Sequence, residues 1–224
     1  MQDLTLVIPA KYEKESLPKF LNEISIYKCK KLIVLEKSDI ETITSLKNFN
    51  HIEILFQKKK GYGAALIEGV NHTSTPFFCI INADGSMNPS YLDSMLQKTK
   101  KNNLDFLFAS RYEKPEGGSD DDSWLTFVGN YFFTKIGNIF FSLKITDILF
   151  TYVMGKTEIF NNLKLSSQDF TLCVEFPIKA KRNNFSLGTI ASYERTRIAG
   201  KKKVNEFKDG LLILLKMISM FFKK

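Results

Sequence analysis

The sequence predicts an α/β domain built on a mostly parallel sheet with flanking helices and a helical C-terminal part. Two observations carry this. Short apolar runs alternate with segments of helical periodicity over the first 110 residues, the pattern of repeated β-α-β units with right-handed crossovers. One of those runs, Phe77-Phe78-Cys79-Ile80-Ile81, ends in Asn82-Ala83-Asp84-Gly85-Ser86, so a buried strand leads into a small acidic turn. In an open α/β sheet a carboxylate in that position lies in the crevice that binds ligands.

Residues 4–10 (Leu-Thr-Leu-Val-Ile-Pro-Ala) read as a first buried strand that Pro9 brings to an end. A helix over 14–27 follows, with Leu17, Phe20, Leu21 and Ile24 on one face. Strands are predicted at 31–35 and 52–56, a short helix at 63–71 and a strand at 77–81. Residues 89–101 form a helix with Pro89 at its start, where a missing N–H is tolerated, and 104–109 form another strand. Residues 113–123 are a polar, Gly-containing acidic loop, expected to be mobile. Residues 124–143 carry Phe127, Tyr131, Phe132, Phe133, Phe140 and Phe141, too many apolar positions for a simple amphipathic helix, so this segment packs into a core or meets lipid.

The chain has 224 residues, 44% hydrophobic and 25% charged, which is one large domain or two small ones with an ordinary globular composition. Its net charge of +8 is weighted late, through Lys179, Lys181, Arg182, Arg195, Arg197, Lys201, Lys202, Lys203, Lys223 and Lys224, and favours an anionic partner. Nucleic acid is not expected, because the basic residues lack the aromatic interleaving of a strand-binding platform. Cys29, Cys79 and Cys173 are too scattered for a disulfide framework or a metal cluster, and Met1 leads directly into a strand. Together these predict a reducing, cytoplasmic setting without a signal peptide. No run reaches the ~18 apolar residues of a membrane span. The stretch 204–224 comes nearest, apolar from Leu211 to Phe222 except for Lys216 and Ser219 and flanked by lysines. It fits a helix in the membrane interface or one docked on the protein's own core. His51 and His72 have no evident partner and read as structural.

The order of motifs resembles the polyprenyl-phosphate branch of family 2 glycosyltransferases, the group of dolichol-phosphate mannose synthase, from about Leu4 to Leu215. Ile8-Pro9-Ala10-Lys11-Tyr12-Glu13 is similar to that family's first strand and turn, Lys60-Gly61-Tyr62-Gly63-Ala64-Ala65 to its glycine-rich helix start, and Asn82-Ala83-Asp84 to its acidic motif. Ser110-Arg111-Tyr112 with Gly117-Gly118, Thr146-Asp147, Glu175 with Lys179-Ala180, and Arg197 to Lys203 follow in the family's order. The resemblance implies a GT-A domain over 1–203, including the 124–143 helices, with 204–224 as an amphipathic membrane-interface helix. It also implies inverting transfer of a sugar from a nucleoside diphosphate to a polyprenyl phosphate, at the cytoplasmic face of a membrane. A separate membrane protein is a further expected partner.

By the same resemblance, Pro9, Ala10, Glu13, Glu36, Lys60, Gly61 and Asn82 meet the nucleotide, and Arg111, Arg197 and Lys203 grip the acceptor phosphate. Asp84 and Asp147 are the catalytic carboxylates, Asp147 by positioning the sugar or organising the acceptor-side basic residues. Mg²⁺ or Mn²⁺ falls to Asp84, Asn82 and Ser86, hard oxygen donors suited to an ion that neutralises a diphosphate. Asn82 stands where the family has Asp, and Ser86 where it often has Gln, which predicts weakened metal affinity. Two other readings fit the same residues: a soluble glycan acceptor, or a degenerate nucleotide-sugar-binding module.

Overall fold

The computed structural model of the chain describes residues 1–223. Strand β1 (Leu4–Pro9) is buried along its whole length, as an apolar run covered on both faces must be. Helix α1 (Leu17–Glu23) is shorter than the span 14–27 and finishes in a 3-10 turn over Ile24–Ile26. Residues 13–16 stay outside it because they are tied elsewhere: the Glu13 amide donates to Thr42 Oγ1 at 2.9 Å, and the Ser16 hydroxyl turns to the Glu13 carboxylate. β2 (Lys30–Leu35) and β3 (Glu53–Phe56) follow with a helix between them, α2 (Ile40–Ser45), that periodicity did not signal. It is short enough to rest on its cap, the Asp39 carboxylate accepting from the Thr42 amide at 3.3 Å.

Next come α3 (Tyr62–His72), β4 (Phe77–Ile80), α4 (Leu92–Lys101) and β5 (Phe106–Ser110), close to expectation. A two-residue strand β6 (Gly118–Ser119) lies in the acidic loop, and α5 (Trp124–Phe141) follows it. The remaining elements are β7 (Val153–Lys156), α6 (Thr157–Asn162), α7 (Leu172–Arg182), β8 (Leu187–Ala191), the two-residue β9 (Tyr193–Glu194) and α8 (Glu206–Phe222).

The main sheet runs β3-β2-β1-β4-β7-β5-β8. Every pairing is parallel except those of β7, antiparallel to both β4 and β5. The reason is the route of the chain. Loop 111–123 and α5 leave from the carboxyl end of β5, residues 142–152 return to that same end, and the next strand can only run back down. Side chains of β1 alternate between two cores, Val7 joining one with Val34, Phe78 and Phe106, and Leu6 and Ile8 the other with Phe20, Leu92 and Met95. Phe78, Phe106, Phe160 and Phe176 fill the first in edge-to-face contacts at 4.8–5.1 Å.

α5 and α8 lie side by side and parallel. The hydroxyls of Ser123 and Thr126 donate to the Glu206 carboxylate at 2.8 and 2.7 Å at one end. At the other end Phe140 and Phe141 meet Phe221 at 5.6 and 6.3 Å. Ile213, Met217 and Met220 of α8 are buried in the first core, so 204–222 shares the core of the rest of the chain. The outer faces of the two helices remain apolar and exposed, with Trp124, Tyr131, Ile139 and Phe140 on one and Phe207, Leu211, Leu215 and Phe222 on the other. The tail's last residue, Lys224, lies outside the described residues. Among these no helix is long and apolar enough to cross a membrane. His72 has a partner after all, Glu53 at 2.7 Å on the surface.

Candidate active site

The carboxyl ends of β1, β2, β4 and β5 open into a cleft of about 670 Å³. It collects Pro9, Ala10, Glu13, Glu36, Gly61, Asn82, Asp84, Ser86, Arg111, Arg197 and Lys203, residues drawn from almost the whole chain. Two predicted residues are missing from its walls. Lys60 is exposed outside it, and Asp147 is buried beneath it. Although the chain is basic, the cleft is not. Its carboxylates (Glu13, Glu36, Asp84, Asp121, Asp122, Asp169, Glu194 and Asp209) outnumber its cations (Lys11, Arg111, Arg197, Lys202, Lys203 and Lys208).

Asp84 sits where β4 ends. Its Oδ1 accepts from the Ser86 amide at 3.1 Å and the Ser86 hydroxyl at 2.9 Å, while Oδ2 has only Arg197 Nη1, at 3.7 Å. Ser86 thus lines the cleft with its hydroxyl turned to support Asp84. Asn82 is also partly committed, its Oδ1 accepting from the Tyr62 hydroxyl at 3.0 Å. That hydroxyl also meets Thr151 Oγ1 at 2.6 Å, and burial pushes its pKa well up. Among the described residues no cluster of three or more His, Cys, Asp or Glu side chains forms a metal cage. Asp84 Oδ2, which accepts no hydrogen bond, is the oxygen that would take Mg²⁺ or Mn²⁺, hard ions suited to a carboxylate and able to neutralise a diphosphate.

Gly61 before α3 and Gly63 in its first turn answer to packing. Gly61 has φ 114°, and a Cβ there would stand 2.1 Å from the Gln168 carbonyl oxygen; at Gly63 it would stand 2.5 Å from that of Ser167. The Gln168 carbonyl in turn accepts from the Ala64 amide at 3.1 Å. The segment 166–168 pressing on α3 is held by Glu175, whose carboxylate accepts from the Ser166 and Ser167 amides at 3.1 and 2.7 Å and pairs with Lys179 at 2.9 Å. Burial works against this charge, but the hydrogen bonds from Ser167 and Lys179 outweigh it and bring the pKa down to about 2. The folded protein thus holds this proton more weakly than the unfolded chain does. Glu175 is expected to contribute about 2–3 kcal/mol above its ordinary pKa, lost as pH falls from about 4.5 toward 2. A Glu175→Gln variant, compared with the parent by denaturant melts across that range, should show its deficit at pH 7 shrink in acid.

Arg111 is not a free phosphate grip. Its guanidinium is 6% exposed and meets Asp147 through Nε at 2.7 Å and Nη2 at 3.0 Å, Glu194 at 3.2 Å and Asp122 at 3.6 Å, with the Phe150 ring 4.7 Å away. Asp147 also accepts from the Arg111 amide at 3.1 Å and lies buried beneath the cleft. Burial pushes the Glu194 carboxyl up, and the Arg111 charge only partly offsets it.

Three late basic residues at the cleft are paired as well. Arg197 bonds Asp121 through Nε at 3.2 Å and again through Nη2, and Lys203 bonds Glu13. Lys202 reaches Glu206 at 2.9 Å. The acidic loop is therefore engaged with the cleft, and Asp121 and Asp122 are site residues that motif matching passed over. The signal was present in the run Asp120-Asp121-Asp122, an acidic patch within a basic chain.

At the end expected to meet the nucleotide, Pro9 closes β1 and Ala10 follows it, and Tyr12 beyond them has φ 54° and is 70% exposed. The Asp39 carboxylate holds its amide at 2.7 Å. Glu36 faces the cleft and pairs with Lys11 at 3.2 Å. Glu13 is largely spent on Ser16 and Lys203.

Comparison with known proteins agrees with this fold. Mannosyl-3-phosphoglycerate synthase of Rubrobacter xylanophilus superposes with a TM-score of 0.72 at 14% identity, over 97% of this chain and 72% of that one. Glucosyl-3-phosphoglycerate synthase of Mycobacterium tuberculosis, solved with Mn²⁺, UDP and phosphoglyceric acid, gives 0.69 at 12% identity, over 98% and 78%. These likenesses show a shared GT-A-like α/β fold. An uncharacterized glycosyltransferase of M. tuberculosis is 28% identical over 99 residues, 44% of either chain, so the match spans less than half of that relative. The profile of glycosyl transferase family 2 matches residues 5–164, and the chain belongs to that family.

Proposed function

We propose that this glycosyltransferase moves a sugar, with inversion, from a nucleoside diphosphate to a polyprenyl phosphate at the cytoplasmic surface of a membrane. The observation that carries the lipid acceptor is the pair α5 and α8. Their exposed apolar faces begin at the cleft, which Thr126, Asn205, Lys208 and Ile213 help to line, and run away from it together. A surface patch of that kind marks a contact with lipid or protein, and here it would hold an isoprenoid chain while its phosphate enters the cleft. Asp84 would hold the donor's diphosphate through Mg²⁺ or Mn²⁺, which supplies charge neutralisation to the leaving group. Asn82 and Tyr62 would fix the donor beside it, with Glu36 and Tyr12 at the nucleoside. Asp147 is locked under Arg111, and a phosphate oxygen, already ionised near neutral pH, needs no base in its place. The chain's own contribution is then alignment and charge.

The second reading keeps the donor and takes a soluble phosphorylated acceptor. It is favoured by the phosphoglyceric acid found in a structural neighbour. The deciding experiment offers UDP-, GDP-, CDP- and dTDP-sugars with undecaprenyl phosphate in mixed micelles, and in parallel with 3-phosphoglycerate. Lipid-linked sugar supports the proposal, and a product only with 3-phosphoglycerate replaces it. Leu211→Ser combined with Leu215→Ser, on the exposed face of α8, is expected to weaken the partition onto anionic liposomes, read by co-sedimentation, by about a hundredfold or more, given ~1.5–3 kcal/mol for each buried leucine. The melting temperature should hold. Unchanged sedimentation would remove α8 from the membrane contact.

A further inference from the structure

Each of the three cations aimed at the acceptor phosphate already holds a carboxylate, so a phosphate takes the place of a carboxylate on whichever of them it grips. Arg111 is the least able to let go, because its partners Asp147, Glu194 and Asp122 are at most 10% exposed. Lys203 is bound to Glu13, itself buried with Ser16. Arg197 is different. Its partner Asp121 sits on loop 113–123, and the two are each 18% exposed.

We propose that Asp121 determines acceptor specificity: its carboxylate occupies the acceptor phosphate's place on Arg197, and a phosphate monoester displaces it where a neutral hydroxyl does not. This rests on the phosphate-acceptor reading above. The Nε and Nη2 edge of Arg197 meets both oxygens of Asp121, the fork that fits a carboxylate or a phosphate equally well. The same guanidinium reaches toward Asp84, with Nη1 3.7 Å from its Oδ2, so whatever Arg197 holds lies next to the donor side of the cleft.

The loop is pinned at Asp122, by Arg111 at 3.6 Å and by the Tyr112 hydroxyl, while Asp121 beside it is the more exposed carboxylate and the one free to turn away. The loop's ordered anchor is the two-residue β6, and around Asp121 it is held by the Asp120 amide on the Glu194 carbonyl at 2.9 Å and the Tyr193 hydroxyl on Asp120 at 2.5 Å. The buried Oδ1 of Asp122 has no hydrogen-bond donor among the described residues. Release of Asp121 needs only its own side chain to leave Arg197, with the Asp120 and Asp122 contacts kept. A phosphate monoester carries about −1.5 to −2 charges at neutral pH and three acceptor oxygens, against one charge and two oxygens for Asp121. Exchange on Arg197 therefore favours the phosphate, and a sugar hydroxyl has nothing to offer in return.

Two soluble probes, geranyl phosphate and glycerol 3-phosphate, are titrated calorimetrically into the parent, Asp121→Asn and Asp120→Asn. Asp120 lies next in the chain and bonds Tyr193, so its variant controls for the loss of one negative charge. Asp121→Asn is expected to bind geranyl phosphate about five- to tenfold more tightly than either other form, the range of one released ion pair. Equal affinity in the two variants or no phosphate binding by any form would overturn the proposal. Equal tightening toward both probes, with no advantage for the isoprenyl chain, supports the role of Asp121 while counting against a lipid acceptor.

Discussion

Asp84→Ala is expected to lower sugar transfer by about a thousandfold or more, the scale of removing a principal charge-stabilising group from a reaction site. The fold should survive. The Asp84 side chain holds little beyond the Ser86 amide and hydroxyl, and the backbone bond from the Ile198 amide to the Asp84 carbonyl, at 2.8 Å, remains in the variant. Oδ2 has only a distant guanidinium at 3.7 Å, which leaves it available to a cation arriving with the donor. Two readouts separate this role from a structural one. The variant's melting temperature should stay near the parent's. The parent's stabilisation by a nucleoside diphosphate, if Asp84 holds the cation, should depend on Mn²⁺, and the variant's should not. Near-normal turnover would take Asp84 out of the reaction.

Arg111→Met should have the largest effect on stability. Methionine fills the volume but leaves Asp147, Glu194 and Asp122 buried without their counter-charge, a loss of about 3–5 kcal/mol for a broken buried network. Its pH dependence is the specific signature. Burial already raises the Glu194 carboxyl with Arg111 in place, so above its ordinary pKa the folded state binds more protons there than the unfolded chain does. Stability tied to such a group falls as pH rises, and removing the cation beside it strengthens the effect. Urea melts should therefore show the variant's deficit shrinking from pH 7 to pH 5. A deficit independent of pH would mean that packing, and not the charge of Arg111, is what the carboxylates need.

Most of the strands were legible in the sequence because burial on both faces demands continuous apolar runs, and β1, β2 and β4 are written that way. α2 escaped because a helix of six residues has no periodicity to show and depends on one Asp39 contact. β7 was not read at all, a four-residue strand containing Gly155, and its antiparallel direction is set by the side of the sheet from which the chain returns. Asp84, Asn82, Glu36 and the late basic residues were also readable, each by its place at a strand end or in a motif. What they touch was not. That Asp147 lies under Arg111, that Ser86 serves Asp84, and that Gly61 makes room for Gln168 depend on pairs brought together across the fold.

By itself, then, the sequence determined the α/β architecture and the residues gathered at one end of the sheet, because periodicity and strand-end chemistry are local properties. Only the tertiary structure decided which of those charges are free. Arg111, Arg197 and Lys203 all looked like open phosphate ligands, and each is paired with carboxylates that lie far from it in sequence. An ion pair forms across a few ångströms of space, and its strength depends on burial, which no spacing along the chain records.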